Sequence, residues 1–368
     1  MIFSDLDGDR MLRALELARR GVGHVSPNPL VGCVITDSGG QIIGEGAHLE
    51  FGGLHAEPNA IADAEAHGHS VEGATVYVTL EPHSFKGKTT PCSQLLISKK
   101  IARCVVALVD PYPKVNGEGI RQLRDAGIQV DVGLLQAEAE ELNRFFIKQV
   151  TTGLPYVTLK LATSLDGRSA LATGESKWIT SEASRRRVHT MRAEYDAVLV
   201  GSRTALLDDP ALTVRMVEGR QPWRIVLDSR LELPRTLKVF CDEHRNRTIV
   251  VTDASRETRE SELPHGIEHL PISSKNDRLD LAALFRVLGA RGIASVLVEA
   301  GPTLAASIVR ERLFDELIIF QAPIVFGGDA RAAIGPLGHE TLAEIPRLRL
   351  YYVRPVEGSH DIEVCLRP

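Results

Sequence analysis

The chain of 368 residues has only five cysteines, 5% aromatic residues and no apolar run near the ~18 residues that a membrane-spanning helix needs. Cys33, Cys92, Cys104, Cys241 and Cys365 are scattered and odd in number, so their spacing spells no disulfide framework and suits a reducing cytosol. The opening MIFSDLDGDRMLRALELARRG puts acidic residues before an amphipathic pattern and lacks the apolar core of a signal peptide. The expected location is cytoplasmic. Charge of one sign is missing too: 43 Lys plus Arg face 48 Asp plus Glu, a net charge of −5, so no global basic field offers itself to nucleic acid or an anionic membrane. With few aromatics to interleave with basic stripes, a nucleic-acid-binding or base-editing protein is disfavoured. A G-x-G-x-x-G fingerprint is also absent, which argues against a Rossmann-type cofactor site.

The length suits two domains, and 43% hydrophobic content can fill their cores. Leu12, Leu15, Leu17 and Ala18 mark a first helix that Gly21 and Gly23 end. LVGCVI and QIIGEGAHL flank DSGG as a hairpin, followed by a helix from about 56 to 66 and the strand ATVYVTL. A helix starting near Pro91, the strand RCVVALV, the helix GIRQLRDAG, the strand IQVDVGL and one long helix through ELNRFFIKQV complete residues 1–148. Such alternation implies an α/β sheet with helices on both faces. TTGLP reads as a hinge, and a second α/β domain, 153–368, runs through YVTLKLA, DAVLVG, WRIVLDS, RTIVVTD, ASVLVEAG and ELIIFQAPIVF. These runs carry β-branched residues at both alternating positions, as a doubly buried sheet requires. The stretch from about 235 to 276 is polar and reads as peripheral.

Catalytic zinc needs three protein donors and an open position for water. The stretch EPHSFKGKTTPC offers His83 and Cys92, and LHAEPNA upstream offers His55 with Glu57 two residues on. Zinc-dependent deaminases carry H-x-E followed by P-C-x-x-C, the glutamate serving as acid and base and not as a ligand. Taken singly, each residue has an ordinary reading: a helix start for His55, a polar loop for His83, a small core residue for Cys92. Their order, at strand–helix junctions where helix N-termini favour a thiolate, points to zinc with Glu57 as the proton carrier.

SPNPLVGCVI, IIGEGAH, HAE, VYVTLEP, the spacing to TTPC, and DPYPKVNGEGI resemble the deaminase half of a bifunctional riboflavin-biosynthesis family. That family joins a diaminohydroxyphosphoribosylaminopyrimidine deaminase to a 5-amino-6-(5-phosphoribosylamino)uracil reductase. LKLATSLDGRSALATGESKWIT, LLDDPALTVR, RIVLDS and VLVEAGPTL resemble its reductase half, so the likeness covers nearly the whole chain. It implies a cytidine-deaminase-like α/β/α domain followed by a dihydrofolate-reductase-like α/β domain, with Zn2+ and NADPH as cofactors. Phosphoribosyl pyrimidines are the implied substrates, and a homo-oligomer paired through the reductase domain is implied as well. In the family, zinc is held by one histidine and two cysteines; His83 stands where the first cysteine is expected. Phe85 stands where histidine is frequent, Thr90 where proline is common, and Tyr112 where an asparagine often contacts substrate. These departures motivate an alternative, an active reductase with a weakened or inactive deaminase half.

The resemblance also assigns residues. Asn28 and His48 would orient the pyrimidine, and Lys88 would approach its phosphate. VLVEAGPTL places a strand, Gly301 and a helix start in series, so that N–H groups can face an anion. By resemblance the NADPH site takes Gly301, Pro302, Thr303 and Leu304 with Ala162, Trp178, Thr204, Asp208 and Ser229. Ser176, Arg192, Leu212, Arg215 and Glu299 would hold the phosphoribosyl substrate. The arginines suit a phosphate, Asp208 and Glu299 suit ribose hydroxyls, and Lys160 would act near the substrate imine.

Overall fold

In the strand β1 (Gly32–Thr36), Cys33 and Ile35 enter one core while Val34 enters another, and that alternation sets the layers of the N-terminal part. The structure, a computed structural model, describes residues 3–85, 90–113, 115–256, 263–276 and 278–368. It divides into two units, 1–153 and 154–368.

In the first unit, β1 lies between β2 (Ile42–Ala47) and β3 (Thr75–Val78), antiparallel to both. β4 (Arg103–Val106) and β5 (Gln129–Val132) extend the sheet in parallel, in the order β2-β1-β3-β4-β5. On one face Ala60, Ile61 and Ala64 of α2 (Ala56–Ala66), Leu96 of α3 (Cys92–Ser98) and Leu123 of α4 (Glu118–Asp125) pack on Cys33, Val76, Val78 and Cys104. On the other, Met11, Ala14 and Leu15 of α1 (Asp5–Arg19) and Ala139 of α5 (Gln136–Leu142) pack on Val34, Tyr77 and Val105. This is the α/β/α arrangement expected from the sequence.

The long helix expected over 141–150 is broken. α5 ends at Leu142 and α6 (Arg144–Thr152) begins after Asn143, which sits at φ −100° and ψ 15°. The Asn143 side chain clasps the backbone of Leu30, accepting from its N–H at 2.8 Å and donating to its C=O at 3.0 Å. A long-range partner thus overrides local helix periodicity.

The second unit is a nine-stranded sheet in the order Glu268–Ile272, Thr248–Asp253, Trp223–Leu227, Ala197–Gly201, Ser295–Glu299, Tyr156–Thr163, Glu316–Gln321, Ile362–Arg367, Arg349–Pro355. The first seven run parallel and the last two pair antiparallel. Ala197, Val198, Leu199 and Val200 are fully buried, as strands covered on both faces require. Leu284, Phe285 and Leu288 of the helix Leu281–Ala290, with Ala305 and Ile308 of Pro302–Arg310, seal one face. Two expectations need correction here. The stretch 235–276, read as polar and peripheral around the expected strand RTIVVTD, supplies a second strand of the main sheet, Glu268–Ile272, which pairs in parallel with the buried Thr248–Asp253. ELIIFQAPIVF is strand only to Gln321, after which Val325 is largely exposed.

Candidate active sites

The three donors named from the sequence meet in the first unit. His55 occupies the N-cap of α2, Cys92 is the first residue of α3, and His83 lies in the loop leaving β3. Gly46 allows α2 to come this close: a Cβ there would lie 2.3 Å from the Ala56 carbonyl oxygen and from the Ala60 nitrogen. The donor atoms of His55, His83 and Cys92 lie within 4.8 Å of one another. Cys92 Sγ stands 3.6 Å from His55 Nδ1. Tetrahedral zinc, with bonds of about 2.0–2.1 Å to nitrogen and about 2.3 Å to sulfur, holds two such donors about 3.6 Å apart. The donor set therefore fits zinc without rearrangement of that pair, and two imidazole nitrogens with one thiolate sulfur are chemically suited to a metal of borderline softness.

Electrostatics agrees. Burial, then the neighbouring His55, holds His83 down at about 4, so its imidazole keeps a lone pair at neutral pH. Burial and then His48 lower His55 in the same sense. Burial, with Glu57 beside it, pushes the Cys92 thiol well up, an ordering that a divalent cation reverses. Glu57 is itself buried, which raises its carboxyl above the usual range and suits a group that must take up and release a proton.

Next to the donors, Asn28 Nδ2 donates to His48 Nε2 at 3.1 Å, and His48 Nδ1 donates to the Leu54 carbonyl at 2.9 Å. One tautomer satisfies both bonds, leaving the Asn28–His48 pair ordered beside His55, whose ring centroid is 5.4 Å from that of His48. Lys88 lies outside the described residues.

The second unit carries a cavity of about 1550 Å3. Its walls include the expected cofactor residues Ala162, Trp178, Thr204, Asp208 and Ser229 together with Gly301 to Leu304. Lys160, Ser176, Arg192, Arg215 and Glu299 line it as well. Leu212 does not: its side chain is only 1% exposed and packs into the protein. Gly301 forms a cradle that a side chain would fill, since a Cβ there would come 2.9 Å from Thr204 Oγ1. It caps the helix Pro302–Arg310, whose first N–H groups are open to an anionic group of a dinucleotide. Space and donors thus fit NADPH.

The charges in this cavity are not distributed as the sequence suggested. Arg192 is already engaged, through Nε and Nη2 to the two oxygens of Glu299 at 2.6 and 3.0 Å and through Nη1 to the Thr213 carbonyl at 3.1 Å. Lys160 is the register partner of Glu299 on the adjacent strand. Arg215, in contrast, makes no described hydrogen bond through its guanidinium; burial and then the positive Arg192 lower its pKa. Sequence reasoning missed His189, which lies three residues before Arg192 on the helix Glu182–Glu194, lines the cavity, and accepts the Arg215 N–H at 3.2 Å. The i, i+3 spacing was the available signal.

These two sites define a zinc-dependent deaminase joined to a nicotinamide-dependent reductase. Residues 5–108 match the cytidine and deoxycytidylate deaminase zinc-binding region, and residues 155–358 match the RibD C-terminal domain. The riboflavin biosynthesis protein RibD of Escherichia coli K12 is 44% identical over 97% of both chains, and that of Bacillus amyloliquefaciens is 42% identical over 97% of this chain and 95% of its own. The Acinetobacter baumannii RibD structure, 38% identical, superposes with a TM-score of 0.88 over 99% of each chain. A Thermotoga maritima diaminohydroxyphosphoribosylaminopyrimidine deaminase/5-amino-6-(5-phosphoribosylamino)uracil reductase gives the same three values. The chain belongs to the RibD family, the bifunctional deaminase and reductase of riboflavin biosynthesis, which uses zinc and NADPH. A chain in which only the reductase half is active is not favoured, because the donors of the first unit converge on a zinc-like geometry.

Proposed function

We propose that the two sites catalyse consecutive steps. The first is hydrolytic deamination of 2,5-diamino-6-(5-phosphoribosylamino)pyrimidin-4(3H)-one. The second is reduction of its ribosyl chain to ribityl. The observation that carries the reading is the 3.6 Å approach of Cys92 Sγ to His55 Nδ1 with His83 alongside and Glu57 buried at the same helix start. His55, His83 and Cys92 hold zinc, which supplies the Lewis acidity that makes water nucleophilic at neutral pH. Asn28 and His48 hold the pyrimidine edge, and Lys88 its phosphate. Glu57 takes one proton from the attacking water and gives it to the ring nitrogen, then takes the second from the hydroxyl so added and gives it to the amino group, which leaves as ammonia while the ring C=O forms.

In the reductase, Ala162, Trp178, Thr204, Asp208 and Ser229 with the Gly301–Leu304 turn seat NADPH, which supplies the hydride. Ser176 flanks the phosphoribosyl group. Its phosphate falls to Arg215, while Arg192 holds Glu299 rigid against the sugar hydroxyls. Lys160, beside Glu299, supplies a polar hydrogen to the reacting imine region. These residues mainly bring two molecules into one geometry. The test supplies the pyrimidine with and without NADPH and follows ammonia and NADPH together. Zinc near one per chain, with ammonia release and NADPH oxidation both lost in Glu57→Gln and NADPH oxidation restored when the deaminated aminouracil is supplied, supports the reading. NADPH oxidation without bound zinc or ammonia sinks it.

Two coarser features complete the proposal. Homo-oligomerisation through the reductase unit is supported by the outermost strand Arg349–Pro355, which exposes Leu350, Tyr351 and Val353. A monomeric mass in sedimentation would refute it. Residence in the cytoplasm is supported by Cys33, Cys92, Cys104, Cys241 and Cys365 all being free thiols. Among the described residues no helix is long and apolar enough to cross a membrane.

A further inference from the structure

Ring contacts run in a line through the deaminase site. His48 meets His55 at 5.4 Å between centroids, His55 meets His83 at 4.6 Å, His83 meets Phe85 at 5.7 Å, and Phe85 meets Tyr112 at 6.4 Å. One end of this line is the hydrogen-bonding pair Asn28–His48, the other is aromatic, and the metal donors lie between. Three positions that set this sequence apart, His83, Phe85 and Tyr112, are therefore consecutive neighbours in space. Phe85 exposes 42% of its surface beside the donors, so one side of its ring is accessible among the described residues.

The aromatic end is also anchored. The buried Glu81 carboxylate accepts N–H groups from Asp110 at 3.1 Å, Gly117 at 2.8 Å, Gly119 at 2.9 Å and Ile120 at 3.2 Å. Glu81 stands two residues before His83. Tyr112, whose N–H donates to Asp110 Oδ1 at 2.8 Å, is thus fixed by the same short segment that carries a metal donor. A wall held this way loses little freedom when a ligand settles on it.

We propose that Phe85 and Tyr112 form a stacking face for the pyrimidine ring in the deaminase site, and that Glu81 is the positioning residue that sets it. Polar side chains at that end would read the ring's edge; two rings inclined at 60° to one another offer instead a π-face for one to stack on and a second ring that closes against the pyrimidine at an angle. Asn28 and His48 then supply edge recognition alone. The proposal rests on the reading of His55, His83 and Cys92 as the metal donors for where the ring lies, but stacking itself needs no metal.

That separation dictates the experiment. The full chain, zinc-loaded and chelator-treated, is titrated with 2,5,6-triaminopyrimidin-4(3H)-one, following the loss of ultraviolet absorbance that accompanies stacking. Zinc content is measured in parallel. Base–aromatic stacking predicts that Phe85→Leu and Tyr112→Leu each weaken binding by about five- to hundredfold and diminish the absorbance change, whereas Tyr112→Phe keeps both. The ratio persists in both metal states, with zinc content unchanged and with NADPH oxidation unchanged when the deaminated aminouracil is supplied. Glu81→Gln, which gives up acceptors for two of the four N–H groups, matches Tyr112→Leu and adds nothing to it in the double variant. Equal binding by wild type and the leucine variants overturns the stacking face, as does a Tyr112→Phe loss equal to that of leucine. A deficit confined to variants that have lost zinc overturns it too. Additivity with Tyr112→Leu overturns the role of Glu81. Wild type that retains no zinc refutes the metal reading instead, and the chelator-treated titrations still decide the wall.

Discussion

The Arg192 guanidinium meets the Glu299 carboxylate through two hydrogen bonds at 2.6 and 3.0 Å, with both side chains largely withdrawn from solvent. A bidentate pair at the floor of a cavity orients the carboxylate while preventing the arginine from acting as a free anion site. Arg192→Met should leave Glu299 without its fork and lower the stability of the second unit by about 3–5 kcal/mol. Thermal melting of the variant checks this, and Arg192→Lys should recover only part of the loss because an ammonium cannot reproduce the fork.

The same cluster makes stability depend on pH. Burial works against the Glu299 anion, but Arg192 and Lys160 outweigh it and hold the carboxyl down at about 2. Its contribution is complete above the unfolded carboxylate range and disappears as pH falls through about 2. Burial, then Arg192 and Arg215, lowers His189 to about 4, against weaker opposition from Glu299 and the Thr213 backbone. Because the folded form resists protonation, stability from His189 is full above the unfolded value near 6.5 and drains away as pH falls toward 4. Melting temperatures should therefore begin to fall below about pH 6.5, and His189→Gln should flatten the segment between 6.5 and 4 by on the order of 2 kcal/mol. An unchanged slope in the variant would count against this assignment.

Gly301→Ala tests the cofactor cradle. The glycine has φ −79°, which any residue adopts, so the backbone should be unaffected. The new Cβ, 2.9 Å from Thr204 Oγ1, must displace that side chain. At about 1–3 kcal/mol for an overpacked contact, KM for NADPH should rise by about five- to hundredfold while ammonia release stays as in wild type.

Much of this was legible in the sequence because period and spacing are local. The run of buried residues from Ala197 to Val200 and the H-A-E triplet at a helix start both appear where the pattern placed them. What escaped reading depends on distant partners. Asn143 breaks a helix to clasp Leu30, 113 residues away, and nothing in its neighbours announces that. Arg192 resembles a phosphate ligand until Glu299, 107 residues later in the chain, takes up its donors. The strands Arg349–Pro355 and Ile362–Arg367 are rich in arginine, tyrosine and glutamate, whose pairing, such as Arg354 to Glu363 at 2.9 Å, replaces the apolar alternation that marks a strand.

His83 is where pattern and chemistry bear on each other most directly. Zinc sites of this kind use three protein donors, so His83→Ala leaves two and should weaken zinc binding by more than about a hundredfold, the upper range that changes around intact ligands already reach. Equilibrium dialysis against a graded chelator measures this, with NADPH oxidation of supplied deaminated aminouracil reporting that the second unit is intact. His83→Cys should keep zinc near one per chain, since the position already brings a donor within 4.8 Å of the other two. It exchanges a neutral donor for an anionic one and so removes one unit of positive charge from the site. A less positive metal activates water less readily, and the acid limb of ammonia release should move to higher pH in His83→Cys than in wild type. If both variants retain zinc as wild type does, His83 is not a donor and the third ligand must come from elsewhere.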